Sequence, residues 1–369
     1  MDNCVIPHGY KATALGIIPQ EWEVMLLGNL SNSISSGRNK HRDAHGQYPV
    51  FGSTGIIGYS STYEYEGPVI LVARVGANAG TLNFASGQYD VSDNTLIITI
   101  KQNVYDYNFA YNQLTHYKLN KLVFGSGQPL ITSKQLKNIR IPVPPLAEQR
   151  KIAEVLGVWD KAIEKQARLI EKLALRKRAL MQRLLPAKLR LPGFSEPWKK
   201  VKLGDVAELY QPQTIQSEDL SQTGYPVYGA NGLIGYYNNY NHEYPQVVIT
   251  CRGSSCGTVN FTPGKCWITG NAMVLNVDNN RDVNKSFFYY LISNSSFVNL
   301  ISGSGQPQIV RQPLLKFELR IPPLKEQTAI AEVLTAADRE IDLAKEKLER
   351  LRRQKRGLMQ QLLTGKKRI

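Results

Sequence analysis

Long hydrophobic runs are missing from this sequence. The longest clean apolar stretch is Val69–Ala73, far short of the roughly 18–20 residues that a helix needs to cross a bilayer. The opening MDNCVIPHGY has an early Asp2 and no apolar stretch of the secretory kind. Cysteine is scarce as well: four in 369 residues cannot make a disulfide framework. The expected compartment is therefore a reducing cytoplasm, with no membrane partner. Catalytic signatures are thin. The five histidines (8, 41, 45, 116 and 242) form neither a triad-like nor a His-Glu-x-x-His spacing. No phosphate-binding loop is present, since Gly365-Lys366 continues into Lys367 and Gly264-Lys265 into Cys266. The only adjacent prolines, Pro144-Pro145 and Pro322-Pro323, fall outside any Asn/Asp-Pro-Pro-Tyr/Phe motif. Negative charge is the last shortage. Against 45 Lys and Arg stand 30 Asp and Glu, a net charge of +15 with a pI near 9.5. Such an excess points to a polyanionic partner, nucleic acid before anionic membrane.

What the chain does have is itself, twice. PVFGSTGIIGY (49–59) returns as PVYGANGLIGY (226–236), and VILVARVGANAGTLNF (69–84) as VVITCRGSSCGTVNF (247–261). GSGQP occurs at 125–129 and 303–307, followed by IPVPPLAEQ (141–149) and RIPPLKEQ (320–327). Trp22 and Gly28 answer to Trp198 and Gly204, and the offset stays between 176 and 178 throughout. One unit of about 177 residues has been duplicated, which is too long a period for a solenoid repeat. Each copy begins with a Gly-, Tyr-, Asn- and Ser-rich part whose short apolar runs predict strands (Val69–Ala73, Leu96–Ile100, Val247–Thr250, Met273–Val277). Phe109–Val123 and Phe287–Ile301 carry aromatic and aliphatic residues at helical spacing.

Each copy ends in some forty residues without proline, Leu146–Leu185 and Leu324–Leu363. Apolar residues recur there at 4-3 spacing: Ile152, Leu156, Trp159, Ile163, Ile170, Leu173, Leu180 and Leu184, then Ile330, Leu334, Ala337, Ile341, Ala344, Leu348, Leu351, Leu358 and Leu362. Sustained over more than four heptads, this is a coiled-coil seam, and the nearest partner for each seam is the other. The first helix leads directly into the second globular part, and that part into the second helix. Forty helical residues span about 60 Å, and a domain of this size cannot easily carry the chain back that far. The pair is therefore expected to be antiparallel, with one globular part at each end and a pseudo-two-fold axis between. The expected fold is α+β: residues 1–145 and 187–323 as two similar mixed α/β domains, 146–186 and 324–369 as the helices.

Two similar basic domains held apart across a pseudo-two-fold suit two half-sites on duplex DNA, and because the copies have diverged the target should be split and non-palindromic. The arrangement resembles the specificity (S) subunit of Type I restriction-modification systems over nearly the whole chain. The opening GYKATALGIIPQEWEV, the IPxPPLxEQ lead-in to each helix and the LMQ(R/Q)LL stretch that closes it carry the resemblance. It implies two target recognition domains, one per half-site, on helices that set the unread gap. It further implies two methyltransferase (M) subunits and restriction (R) subunits as partners. The chain itself is expected to bind no cofactor; S-adenosylmethionine, ATP and Mg²⁺ are implied for the partners. Two other readings stay open: a self-sufficient DNA methyltransferase or nuclease, and a non-catalytic structural adaptor.

Duplication also sorts the contact candidates. Polar residues shared by both copies cannot distinguish two half-sites, so they suit phosphates or structure, whereas divergent ones suit base edges. The shared class holds Ser126 and Gln128, Ser304 and Gln306 in the two GSGQP loops, and Arg74 with Arg252, each before a Gly-rich turn. The divergent class holds Arg38, Asn39, Lys40, Arg42, Gln47 and Asn78 in the first copy, and Gln211, Gln213, Ser254 and Ser255 in the second. Arg and Lys match guanine, Asn and Gln adenine. Cys251, Cys256 and Cys266 with His242 upstream are irregularly spaced and read as buried thiols, not zinc ligands. Lys177 and Lys355 interrupt the seam; buried lysines need partners, which makes them candidates for fixing its register.

Overall fold

A computed structural model describes residues 6–40, 43, 45–125, 129–229, 232–303 and 305–369. The chain divides into two compact units, residues 1–166 with 347–369, and residues 167–346. Each therefore holds one globular part, half of one long helix and the opposite half of the other.

In the first unit the strand Val69–Ala73 is the centre of the fold. Its five apolar residues are all buried, as a strand covered on both faces requires. It lies between Thr95–Ile100 and Leu82–Ala85, and Ser31–Ser36 completes a four-stranded antiparallel sheet. Side chains alternate across a strand, so Ile70 and Val72 enter the main core with Phe109 and Leu114. Val69 and Leu71 face a second core with Val91 and Tyr89, beneath a mixed sheet ordered Gly55–Ser60, Tyr48–Gly52, Gln88–Val91, Tyr65–Glu66. The second unit repeats the plan. Val247–Thr250 lies between Ala272–Asn276 and Val259–Phe261, with Glu208–Tyr210 outermost. Val247 and Ile249 enter the core with Phe287, and Val248 faces Ile268 and Val274 on the other side.

The helices expected at 109–123 and 287–301 are shorter than their apolar spacing implies. They run Tyr107–Tyr117 and Lys285–Ser293, each opened by a side chain, Asp106 or Asn284, that accepts the backbone N–H of the third helical residue. The first stops because Lys118 turns left-handed at φ 60°, and a single 3-10 turn, Leu119–Leu122, follows. Its counterpart is Val298–Leu300.

The two long helices span Leu146–Leu184 and Leu324–Leu362. In the first unit Ile152 and Leu156 share a core with Met359 and Leu362, and Lys355 Nζ sits 2.6 Å from Asp160. In the second Leu184 shares a core with Ile330 and Leu334, and Lys177 Nζ sits 2.5 Å from Asp338. As one helix ascends the other descends, so the pair is antiparallel within each unit. Seam burial is complete at Ile152, Leu156, Ile330 and Leu334, where each helix leaves its globular part, whereas Ile163, Ile170, Leu180, Leu351 and Leu358 are half-buried. Between these docking points Leu173, Ala337, Ile341, Ala344 and Leu348 are buried as well, as is Gln166.

The lysines that break the seam form a matched pair of ties. Asp160 and Asp338 occupy the same place in the two copies, and each holds the lysine of the opposite helix. Tyr290 adds its hydroxyl to Asp338 at 2.7 Å, and its own pKa is raised, chiefly by burial. A Lys177→Ala/Asp338→Ala double-mutant cycle, read by thermal unfolding, should give a coupling of about 0.5–1 kcal/mol. The exposed pair Arg352–Glu349 on one helix face should give about 0.3 kcal/mol. Equal values would remove the register role from the seam lysines.

Candidate nucleic-acid interface

At the C-terminal end of the central strand in each unit, three segments are bound together by backbone hydrogen bonds. In the first unit the chain leaves Val69–Ala73 through a turn in which Ala79 N–H donates to Gly76 C=O and Thr81 N–H to Asn78 C=O. Residues flanking the GSGQP loop strap this turn: Gly76 N–H donates to Pro129 C=O at 2.9 Å and Ile131 N–H to Arg74 C=O at 2.9 Å. Phe124 and Leu130 pair across the base of the loop. The second unit repeats every bond. Cys256 donates to Gly253, Thr258 to Ser255, Gly253 to Pro307 at 3.0 Å and Ile309 to Cys251 at 2.9 Å, and Ser302 pairs with Gln308. The described residues at the base of the loop and the Gly-rich turn, separate in sequence, thus form one ledge.

The tracts chosen for divergence approach the same place from the other side. Arg74 N–H donates to Asn94 C=O, and Gly37 N–H to Thr95 C=O next to it, which brings Arg38, Asn39 and Lys40 to the segment Val91–Thr95. In the second unit Cys251 N–H donates to Asn271 C=O. The Gln211 side chain donates to Gly270 C=O at 2.9 Å, and Trp267 Nε1 donates to the backbone oxygen of Gln213. Asn94 and Asn271 are therefore equivalent hubs. Gly270 is needed there, because a Cβ would lie 2.8 Å from both Pro212 O and Thr214 Oγ1.

Arg38 is exposed and 4.0 Å from Glu64. Asn39 donates to the Asp90 carboxylate, so its amide is committed inside the protein. Lys40 and Gln47 are exposed, as are Asn78, Gln211, Gln213, Ser254 and Gln306, and Ser255 is half-buried. Gln47 lies on the hairpin rim, where its N–H donates to Ser60 C=O. Arg42, Ser126, Gln128 and Ser304 lie outside the described residues.

Arg74 and Arg252, equated from the sequence, do not occupy matching positions. Both strands and turns superpose at an offset of 177, so Arg74 matches Cys251, and Arg252 matches Val75, each pairing with the loop strand at Leu130 or Gln308. A shift of one residue on extended backbone sends the side chain to the opposite face. Arg252 is accordingly exposed, whereas Arg74 is half-buried and Cys251 is buried. Burial, then the neighbouring Cys256, pushes the Cys251 thiol up to about 11. Cys266 is also fully buried, and among the described residues no cluster of His, Cys, Asp and Glu suits a metal ion. His242 is held by the Tyr210 hydroxyl at 2.9 Å and by Asn241, and burial lowers its pKa.

Sequence reasoning did not anticipate the work of the Glu-Gln pair in the helix lead-in. Gln149 accepts the N–H of Asp106 at 2.8 Å and donates to the carbonyls of Val104 and Pro144; Gln327 does the same with Asn284, Asp282 and Pro322. Glu148 binds the Trp22 indole and Arg368, and Glu326 the Trp198 indole and Arg190. The repeated Trp, Glu, Gln and Arg were the available signal. They lock each long helix to the globular part, so the ledge sits on a fixed mount. Beside that mount runs a groove in each unit, about 700 Å³ in the first and 370 Å³ in the second. Matching residues line the two grooves: Asp106 and Asn284, Ala153 and Ala331, Glu154 and Glu332.

Residues 19–174 and 195–353 each match the family described as Type I restriction modification DNA specificity domain. The Type I restriction enzyme MjaVIII specificity subunit of Methanocaldococcus jannaschii is 24% identical, covering 95% of this chain and 94% of its own. A putative type I restriction enzyme MjaX specificity subunit of the same organism is 26% identical over 98% and 97%. Among solved structures, the S subunit of a Type-I restriction-modification system from M. genitalium has a TM-score of 0.66 at 19% identity, covering 93% of this chain and 96% of that one. A chain from a structure of type I R-M complex assembly and conformational transition has a TM-score of 0.57, also at 19% identity, over 94% and 99%. At such identities the structural likeness speaks for the fold.

Proposed function

This chain belongs to the Type I restriction modification DNA specificity domain family and is a specificity subunit of such a system, and from that premise we propose that each ledge reads one half of a split, non-palindromic DNA target. The observation that carries this reading is the repeated ledge itself. The same hydrogen-bonded turn, loop base and hub occur in both units, on differing outward residues. A shared scaffold suits the phosphate backbone, which is the same everywhere, and differing side chains suit base edges. The charge of +15 supplies the attraction for a polyanion.

In this reading the chain contributes recognition and no chemistry. Adenine methylation with S-adenosylmethionine and ATP-driven restriction with Mg²⁺ belong to partner subunits. The paired grooves beside the two helix lead-ins give each of two methyltransferase subunits the same bed, and restriction subunits join through them. A cytoplasmic location follows from such work, and no helix among the described residues is long and apolar enough to cross a membrane.

The complex with its methyltransferase should protect two short blocks of DNA separated by a weakly protected gap. Its affinity should fall steeply as salt rises from 50 to 200 mM, by about 10³-fold or more if six phosphates are contacted. A single palindromic footprint would count against the split target. Binding indifferent to salt and sequence would leave only an adaptor, and turnover by the chain alone would make it an enzyme.

A further inference from the structure

We propose that the one-turn 3-10 segment behind each ledge carries specificity-determining residues: Asn120, Lys121 and Phe124 in the first unit, Val298, Asn299 and Ser302 in the second. The inference rests on the DNA-reading function and names side chains for it.

Position comes first. Gly80, in the turn that carries Asn78, lies against this segment so closely that a Cβ would stand 2.5 Å from Asn120 N. In the second unit a Cβ at Gly257 would touch Phe297 and Ile301 at 3.8 Å. The segment then runs into the residue that pairs across the loop base, Phe124 with Leu130 and Ser302 with Gln308. Segment, turn and loop base are packed together, which puts the segment's exposed residues beside the surface proposed to meet the duplex.

The second observation is how the segment divides. LNKLVF (119–124) and FVNLIS (297–302) correspond without gaps. Their inward residues keep their character: Leu119 and Phe297 are buried, and Leu122 with Leu300 and Val123 with Ile301 are half-buried. Their outward residues are all exposed and all change chemistry: Asn to Val, Lys to Asn, Phe to Ser. Val298, at 70% exposure, is the most exposed of the large hydrophobic residues described. A bare valine gains nothing from water, whereas the thymine methyl group is an apolar target in the major groove. Lys121 is pre-positioned, its ammonium 3.5 Å from the centre of the Tyr117 ring, and Lys suits the guanine O6 and N7 acceptors as Asn suits adenine. Lys118, left-handed at φ 60°, ends the preceding helix and turns the chain into the segment.

The test is an exchange. The full chain with Asn120→Val and Lys121→Asn, assembled with its methyltransferase, is used to methylate a randomised DNA library, and methylated sites are sequenced. The preference at one or two base pairs of one half-site should change, on the order of tenfold to a hundredfold, with the other half-site and the gap untouched. The reciprocal chain, Val298→Asn with Asn299→Lys, should alter only the other half-site. The unexchanged half-site reports that each variant is folded and assembled. Unchanged preferences in both chains, or methylation weakened equally at all sequences, would overturn the inference and leave the split target standing. An unaltered chain that yields no split target would overturn the reading beneath it.

Discussion

Glu326→Ala should lower the stability of the second unit by about 3–5 kcal/mol, the usual result of removing one partner from a buried ion pair. The carboxylate is 1% exposed. Its oxygens accept Arg190 Nε at 2.6 Å and Nη2 at 2.7 Å, and the Trp198 indole N–H at 3.2 Å. Alanine would take the charged partner from the guanidinium, leaving it only the Glu196 C=O that Nη2 also reaches at 2.9 Å, and would leave the indole N–H without its acceptor. For a unit of this size the unfolding midpoint should fall by about 10 °C, read by calorimetry on the whole chain. Glu148→Ala should cost roughly half as much, because its partner Arg368 is 40% exposed and can turn to water. A shift under about 2 °C for Glu326→Ala would show that the clamp is ornamental to the fold. Glu326→Gln should fall between, keeping the shape and losing the charge.

Leu334→Ala is the second large effect, about 2–5 kcal/mol. Leu334 is fully buried where the second long helix enters the core with Leu184 and Phe287. The cost combines lost apolar burial with the cavity left behind, and beside a sheet and two helices that cavity cannot collapse. Leu343, on the same helix but 59% exposed, is the internal control and should change stability by less than about 0.5 kcal/mol as alanine. If both substitutions cost the same, the helix is held by its seam and not by its docking to the globular part. Chemical denaturation of each variant separates the two outcomes.

The long helices were legible because a 4-3 apolar spacing survives in any local context, and the strand Val69–Ala73 because five consecutive apolar residues sit between turn formers. The end of the helix at Tyr117 was not legible. Leu119, Leu122 and Val123 continue the apolar spacing, yet they serve the core from a 3-10 turn after Lys118 reverses the backbone. Nor was the role of Gln149: its partners Asp106 and Val104 are 43 and 45 residues away, and nothing local marks them. Arg74 and Arg252 show a different failure. Sequence comparison rewards matching letters, while the backbone ladder counts residues, and here the two differ by one. Convergence of turn, loop base and divergent tract on Asn94 and Asn271 was invisible for the same reason. Each of those contacts ends on at least one main-chain atom, which leaves no trace in residue identity.

The first unit is sewn from two distant stretches of chain, residues 1–166 and 347–369, while the second is continuous. Its core includes Met359, Leu362 and Leu363, and Arg368 closes its clamp. During synthesis the amino-terminal lobe must therefore wait, unfinished, while roughly 200 further residues are made. At 5–20 residues per second that is about 10–40 s. The lobe that emerges first from the ribosome is the last to be completed.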